Sequence, residues 1–435
     1  MQKVKVIGAG LAGAECAYYL ATHGVSVELY DIKPNQFTPA HKSSLFGELV
    51  CSNSLKSNDI YGNAAGLLKQ EMRELGSLII EAGDNTKVPA GNALAVDREK
   101  FAEYITKKIK EQKNITFISS EVTDINQDEY TVLASGPLTT NALTQNLKRF
   151  VGDGLAFYDA SAPIVDAESI DMENAFVGDR WDKGDGDHIN CPMNKEQYLE
   201  FMSALLSAER AELHGFENTA VFEGCMPIEV MATRGTDTLR FGPLKPAGLT
   251  DPKTGRWPYA CLQLRKEDEF GKMYNLIGFQ TNLLFPEQKR VFSIIPALKN
   301  AEYMRYGVMH RNTFINSTKV LDSDFSLREN GKIFFAGQIT GVEGYVESAG
   351  SGLMAGIYLE RKLKGKQDIR VSDKTVLGSL ARYITTTNQD FQPMNANFGI
   401  LPPLDKIVRD KAERKRLMAE RSLKEILDFK KEIQL

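Results

Sequence analysis

The chain lacks the cysteine pattern of a disulfide scaffold or a zinc site. Its five cysteines, Cys16, Cys51, Cys191, Cys225 and Cys261, are widely spaced, odd in number and include no C-x-x-C pair. Reduced thiols in a reducing compartment follow. Nor does any window approach the roughly 20 apolar residues of a membrane span. Residues 4–10 already read as a buried strand entering a glycine turn, which leaves no room for a cleaved export signal. A cytoplasmic protein without a membrane partner is expected. An excess of positive charge is missing too: a formal net charge of -4 gives no global attraction to a polyanion, so a nucleic-acid site has to be a local patch. There is no internal repeat. With 42% apolar and 25% charged residues over 435 positions, the composition suits a globular enzyme of two or three structural units.

What is present begins with VKVIGAGLAGAECAYYLATHGVSVELYDIKP, which reads strand, tight turn, helix from about Leu11 to Thr22, and second strand ending at Asp31. From Phe37 to Asn63 periodicity dissolves into small and polar residues, a stretch too long for an ordinary connection. Helical spacing returns over 66–83, Asp97 starts another helix, and YTVLASG ends a parallel strand at Gly136. Residues 178–192 break the pattern again and predict a boundary; a helix near 195–212 and Gly/Pro-rich segments follow. After a helical stretch at 287–296, GKIFFAGQITGVEGYVESAGSGLMAGIYLERKL brings back a strand, a glycine loop and a small-residue helix, and a charged amphipathic helix follows Asp405. The expected fold class is α/β: a Rossmann-like FAD-binding domain, 1–180, interrupted by a smaller α/β insertion domain, 181–300, and completed by 301–435 with its C-terminal helix.

Gly8, Gly10 and Gly13 form G-x-G-x-x-G where the strand hands over to the helix. The first glycine permits the turn, the second admits a pyrophosphate, the third allows close packing, and Ala9, Leu11 and Ala12 add backbone N–H groups at the positive end of the helix. Asp31 is placed to accept from ribose hydroxyls. FAD rather than NAD is indicated by the late return of the chain, where Gly337, Gln338, Glu343, Gly344 and Tyr345 lie in or beside a loop that faces a flavin. Glu343, Tyr345 and the nearby Glu347 suit helix capping and packing equally well.

Cys51 sits among Ser and Asn in ELVCSNSLKSN, unlike an inert core cysteine, and Cys225 lies between Gly224 and a proline turn in FEGCMPIEVMATRG. Both settings present a thiol whose thiolate is the nucleophilic form. Cys16 reads as packing, Cys191 and Cys261 as structural. His188 with Asp185 and Asp187 matches no firm ligand spacing, so no metal site is expected. Arg234, Arg240, Arg256 and Arg265 gather positive charge that suits phosphates or a solvated surface.

These residues resemble one family, the bacterial folate- and FAD-dependent tRNA (uracil-5-)-methyltransferases. The likeness runs over essentially the whole chain, through VIGAGLAGAECAYYLA, TPAHKSSLFGELVCSNSLKSN, PAGNALAVDREKFAEYI, FEGCMPIEVMATRG, RFGPLKPAGL and FFAGQITGVEGYVESAGSGLMAG; ELVCSNSL and EGCMPIE are its most specific parts. The resemblance implies that the methylene carbon of 5,10-methylenetetrahydrofolate passes by way of FAD, reduced by NADPH or NADH, to C5 of the T-loop uridine and becomes a methyl group. It also implies that Cys51 and Cys225 are the essential thiols. We assign Cys225 as the nucleophile at uracil C6 and Cys51 as the proton acceptor or adduct-stabilising thiol, with the reverse left open. The tRNA is expected to dock through its T arm on basic residues of the insertion and on Lys411, Arg414, Lys415 and Arg416, without an obligatory protein partner. Three alternatives compete, one of them a noncatalytic flavin sensor or RNA-binding module, against which stand the two cysteines in polar loops. A wobble-uridine-modifying flavoprotein would be a much longer chain, and an NAD(P)H-dependent flavin oxidoreductase of the disulfide-reductase type would need a close cysteine pair.

Overall fold

The computed structural model describes residues 3–152, 155–182, 186–211, 226–268, 271–387 and 391–435. Its first sheet has six strands in the spatial order Ser326–Leu327, Asn330–Phe335, Tyr130–Leu133, Lys3–Ile7, Ser26–Asp31 and Ile115–Ser119. All neighbours pair in parallel except the first two, which are antiparallel. Val4, Val6, Leu29, Val132 and Phe334 are buried in it, as continuous apolar strands covered on both faces require. The late strand Asn330–Phe335 lies beside Tyr130–Leu133, so the returning chain does rejoin the first domain's sheet. The helix that follows it, Tyr345–Leu363, packs along the glycine-turn helix Leu11–Thr22.

The helical stretch expected over 66–83 is two helices, Ala64–Glu74 and Leu78–Asn85, parted at Gly76. Asn63 caps the first through the Ala65 amide, and Ser77 caps the second through Ile80. Two fully buried carboxylates reinforce such helix starts. Glu15 accepts from the Ser77 hydroxyl and the Leu78 and Ile79 amides at 2.7–2.9 Å. Glu71 accepts from the Val376 and Leu377 amides at 2.8 and 2.9 Å and from the Ser422 hydroxyl, joining three separate helices. One of these is the C-terminal helix Lys411–Ile433, which starts at Asp410 and buries Met418, Ser422, Ile426 and Phe429.

A second six-stranded sheet is antiparallel throughout, in the order Phe176–Val177, His188–Met193, Ala260–Lys266, Met273–Leu276, Ile164–Asp166 and Tyr303–Arg305. It has its own apolar core, in which Tyr198, Phe201, Phe279 and Phe292 meet. Its strands begin at Ile164 and end at Arg305, outside the 181 and 300 limits read from sequence. His188–Met193, placed by sequence in a pattern-free boundary, is one of its inner strands. Short strands flanked by polar turns carry too few alternations to be seen. An antiparallel ribbon of Leu155–Ala160 with Met309–Phe314 carries the chain between the two sheets in both directions. Among the described residues no helix is long and apolar enough to cross a membrane.

Candidate active site

The glycine fingerprint closes the turn between the first strand and helix. Gly8 has φ +103°, and a Cβ on it would stand 2.4 Å from the Ala134 carbonyl oxygen; one on Gly13 would stand 1.8 Å from the Gly8 oxygen. Gly10 differs, because nothing lies within 4 Å of where its Cβ would be. It caps Leu11–Thr22 without any side-chain partner, so the first amides of that helix are available to an anion. Asp31 ends the second strand and folds back on the turn: its carboxylate accepts from the Ala9 amide at 2.7 Å and the Lys33 amide at 2.9 Å. Each oxygen keeps acceptor capacity for a hydroxyl.

Gly8, Gly10, Leu11, Ala12 and Asp31 line a pocket whose wall carries Lys33 and His41 beside the second strand, and Val50, Gly337, Gln338 and Tyr345 beside the late loop; Ala9, Gly13, Glu343 and Gly344 stand behind this wall. Sequence reasoning missed Lys33 and His41. Burial pushes the Lys33 ammonium below its usual range, and burial together with the Lys33 charge pushes His41 down. In the late loop, Gln338 donates to Glu343 at 2.6 Å. Glu347 accepts from Lys56 at 2.7 Å and from the Ala396 amide at 3.0 Å, so both carboxylates serve protein groups. Gly344 begins Tyr345–Leu363, again without a side-chain cap.

Where the late loop meets the polar segment around Cys51, the Tyr345 hydroxyl accepts from the amides of Cys51 at 2.6 Å and Ser52 at 3.1 Å. Burial, and the neighbouring Cys51, push the Tyr345 phenol well up, so it stays neutral. Cys51 is partly exposed, its sulfur 3.9 Å from the Ala160 carbonyl at the start of the inserted domain. The Ser and Asn beside it are clasps to that domain. Asn53 is fully buried; its amide nitrogen donates to Val96 at 3.1 Å and Lys266 at 2.8 Å, and its oxygen accepts from Arg265 at 3.0 Å. Arg265 also donates to the Ser52 hydroxyl at 2.7 Å.

Arg265 is thus buried at the junction rather than solvated. Arg98 and Arg305, which sequence reasoning missed, join it: Cys51 acts electrostatically on all three guanidiniums. Burial depresses Arg265 and Arg305, whereas the Arg98 charge, although disfavoured by burial, is held by Glu267 at 2.6 Å. One Arg98 nitrogen and one Glu267 oxygen are buried without a partner.

The remaining sequence candidates separate from this centre. Cys16, Cys191 and Cys261 are buried, and burial raises all three thiols, Cys261 to about 12. His188 is 2.5 Å from Asp179, which also accepts from the Gly186 and Asp187 amides, so this turn is tied together internally. Arg240 is paired with Asp237 and stacked 3.7 Å from the Tyr259 ring centre, while Arg234 and Arg256 are exposed. On the C-terminal helix Arg416 is neutralised by Glu413 and Glu420, Lys415 donates to the Gly62 carbonyl at 2.8 Å, Arg414 donates to the Val408 carbonyl at 3.2 Å, and Lys411 is exposed. Cys225 and Asp185 lie outside the described residues.

Parallel sheet, glycine turn and pocket together define a Rossmann-like dinucleotide-binding protein with an inserted antiparallel domain. Residues 3–367 match the family model for glucose inhibited division protein A. The methylenetetrahydrofolate–tRNA-(uracil-5-)-methyltransferase TrmFO of Lactobacillus gasseri is 53% identical over 437 residues, covering 100% of both chains. That of Acetivibrio thermocellus is 53% identical over 98% of both. The structure of Aquifex aeolicus GidA shares the fold, with a TM-score of 0.73 at 17% identity over 99% of this chain and 76% of the other. The chain belongs to the TrmFO family, within the wider glucose inhibited division protein A group.

Proposed function

We propose that the site methylates C5 of the T-loop uridine of tRNA with the methylene carbon of 5,10-methylenetetrahydrofolate, in the cytoplasm and without an obligatory protein partner. The pocket fits FAD: the open face of Gly10, the uncapped helix start there, and Asp31 at the strand end match a diphosphate and a ribose. Gly8, Ala9, Gly10, Leu11, Ala12, Gly13 and Asp31 would hold its adenosine and pyrophosphate, and Gly337, Gln338, Glu343, Gly344 and Tyr345 its flavin side. When bound and reduced by NADPH or NADH, FAD relays the methylene carbon and supplies the electrons that make it a methyl group.

The chain's own part is to activate and hold the base. Uracil C5 is a weak nucleophile until a thiolate adds to C6 and turns the ring into an enolate; afterwards the C5 proton has to leave. We assign the addition to Cys225 and the proton to the Cys51 sulfur, with Arg98, Arg265 and Arg305 stabilising negative charge on that sulfur and on the enolate oxygen. Tyr345 and Asn53 fix the loop that carries Cys51. The target base has to leave its stacked position to reach this junction. The observation that supports the reading is the placing of Cys51 between the dinucleotide pocket and a largely buried arginine cluster, in which Arg98 of the first unit meets Arg265 and Arg305 of the inserted one. We further propose that the insertion spans the segment between the ribbon strands.

Mass spectrometry of unmodified tRNA incubated with FAD-loaded protein, NADPH and carbon-labelled methylenetetrahydrofolate tests it. Labelled 5-methyluridine in the T loop is expected, and none with Cys225→Ala or Cys51→Ala. Label at the wobble position, or oxidation of NADPH with no labelled tRNA, would reject it.

A further inference from the structure

The sequence contains two tryptophans, Trp181 and Trp257. Both lie on the surface of the inserted domain, 58% and 50% exposed, and they touch each other edge to face with ring centres 5.3 Å apart. Two indoles left half in water give up burial that a folded core would otherwise gain. Their position is also held firmly. Trp181 takes a left-handed backbone (φ 60°), uncommon for a bulky residue, and its amide donates to the Gly248 carbonyl at 2.8 Å. Its ring lies so close over Gly248 that a Cβ there would stand 2.7 Å from it. Arg180 fastens the same turn by donating to the Ala247 carbonyl at 2.9 Å.

The surroundings carry positive charge. Lys245, Lys253 and Arg256 are exposed in the segment between Gly248 and Trp257 or beside it. Among the described residues neither Lys245 nor Arg256 forms an ion pair with a carboxylate. Lys253 reaches the Glu173 carbonyl and stands near Asp171, so it is partly compensated. Asp251 is buried and turned inward onto the Lys253 amide and Thr254. Rigid aromatic faces beside uncompensated cations are what stacked bases and phosphates require of a protein surface.

We propose that Trp181 and Trp257, with Lys245 and Arg256, form an RNA-contacting surface that grips the tRNA away from the reacting uridine. The inference rests on the tRNA reading above. Trp257 lies eight residues before Arg265, which is on the strand Ala260–Lys266, so the two are at most about 29 Å apart at ~3.6 Å per residue of fully extended chain. A structured RNA arm spans such a distance.

Since these are the sequence's two tryptophans, indole fluorescence of the FAD-loaded protein reports on this surface alone. Titration with unmodified tRNA is expected to quench the emission and protect it from iodide. Trp257→Ala is expected to weaken tRNA binding about tenfold, within the range measured for a lost stacking contact. Its rate of flavin reduction by NADPH should be unchanged, which shows that the dinucleotide pocket is intact. Lys245→Gln with Arg256→Gln should lower the salt dependence of binding. Complex formation by filter binding with unchanged emission and unchanged Trp257→Ala affinity would overturn the proposal while leaving the tRNA reading intact. Absence of any tRNA complex would remove both, and protein-concentration-dependent shielding without tRNA would assign the surface to a second copy of the chain instead.

Discussion

The Tyr345 hydroxyl receives the Cys51 amide at 2.6 Å, so a residue at the start of the late helix sets the backbone of a thiol 294 positions earlier in the chain. Tyr345→Phe leaves the Cys51 and Ser52 amides without that acceptor, a loss of ~1–3 kcal/mol locally. We expect kcat to fall about tenfold or more while FAD stays bound. Unchanged single-turnover methyl transfer in Tyr345→Phe would sink this role.

The Arg98–Glu267 pair bridges the two domains at 2.6 Å, with the Glu267 side chain 1% exposed. Removing one member of a buried pair strands the other, at a cost of ~3–5 kcal/mol. Glu267→Ala should therefore lower the unfolding free energy by roughly that much, and Arg98→Met should also slow alkylation of Cys51 by iodoacetamide, read peptide by peptide. An Arg98→Met protein whose Cys51 alkylates at the wild-type rate would detach the arginine from the thiol.

Burial raises Glu15 and Glu71 from 4.5 to about 7, with their helix-start amides pulling the other way. Between pH 4.5 and about 7 the folded carboxyls keep protons that the unfolded chain has released. Their contribution is therefore full below pH 4.5 and is lost as pH rises through about 7. Denaturant midpoints measured across this window should show a smaller fall in Glu71→Gln than in the parent; identical slopes would refute the assignment.

Lys69 has the opposite sign. It is fully buried, donates to the Leu55, Ser57 and Ala65 carbonyls at 2.7, 2.6 and 3.2 Å, and burial pushes its ammonium down to about 7. Above about pH 7 the folded lysine loses a proton that the unfolded one keeps up to 10.5, so this group favours folding increasingly across that window. Lys69→Met should flatten the rise and leave the carbonyls of the segment after Cys51 unsatisfied. Faster hydrogen exchange over residues 54–57 is the expected signature, and native protection there would count against it.

How much of this was legible beforehand depended on how local the signal was. Gly8, Gly10, Gly13 and Asp31 act within one strand–turn–helix unit, so their spacing announced both fold and pocket; Leu11–Thr22 has the expected limits. The late return of Gly337 to the first sheet was also readable, since an apolar strand and a glycine loop recur together. Arg98 and Arg305 carried no such signal. Their meaning comes from convergence on Cys51 across segments more than two hundred residues apart, and Arg98 sits unremarkably just after the Asp97 helix cap. The short strand Ile164–Asp166 escaped because three residues offer no period to detect.

Ala160 and Met309 are paired partners on the connecting ribbon, so the 148 intervening positions leave and re-enter the parallel-sheet unit at neighbouring points. The insertion is in that sense a cassette. No strand of the parallel sheet lies within those positions, so its topology does not depend on them. Yet Arg265 and Glu267 belong to the cassette, whereas Cys51, Asn53 and Arg98 belong to the host. A host without the insertion would keep its pocket and Arg98 but lose Arg265, Arg305 and the Glu267 partner of Arg98 from around its thiol, which makes the setting of the thiol a property of the union and the glycine turn a property of one part.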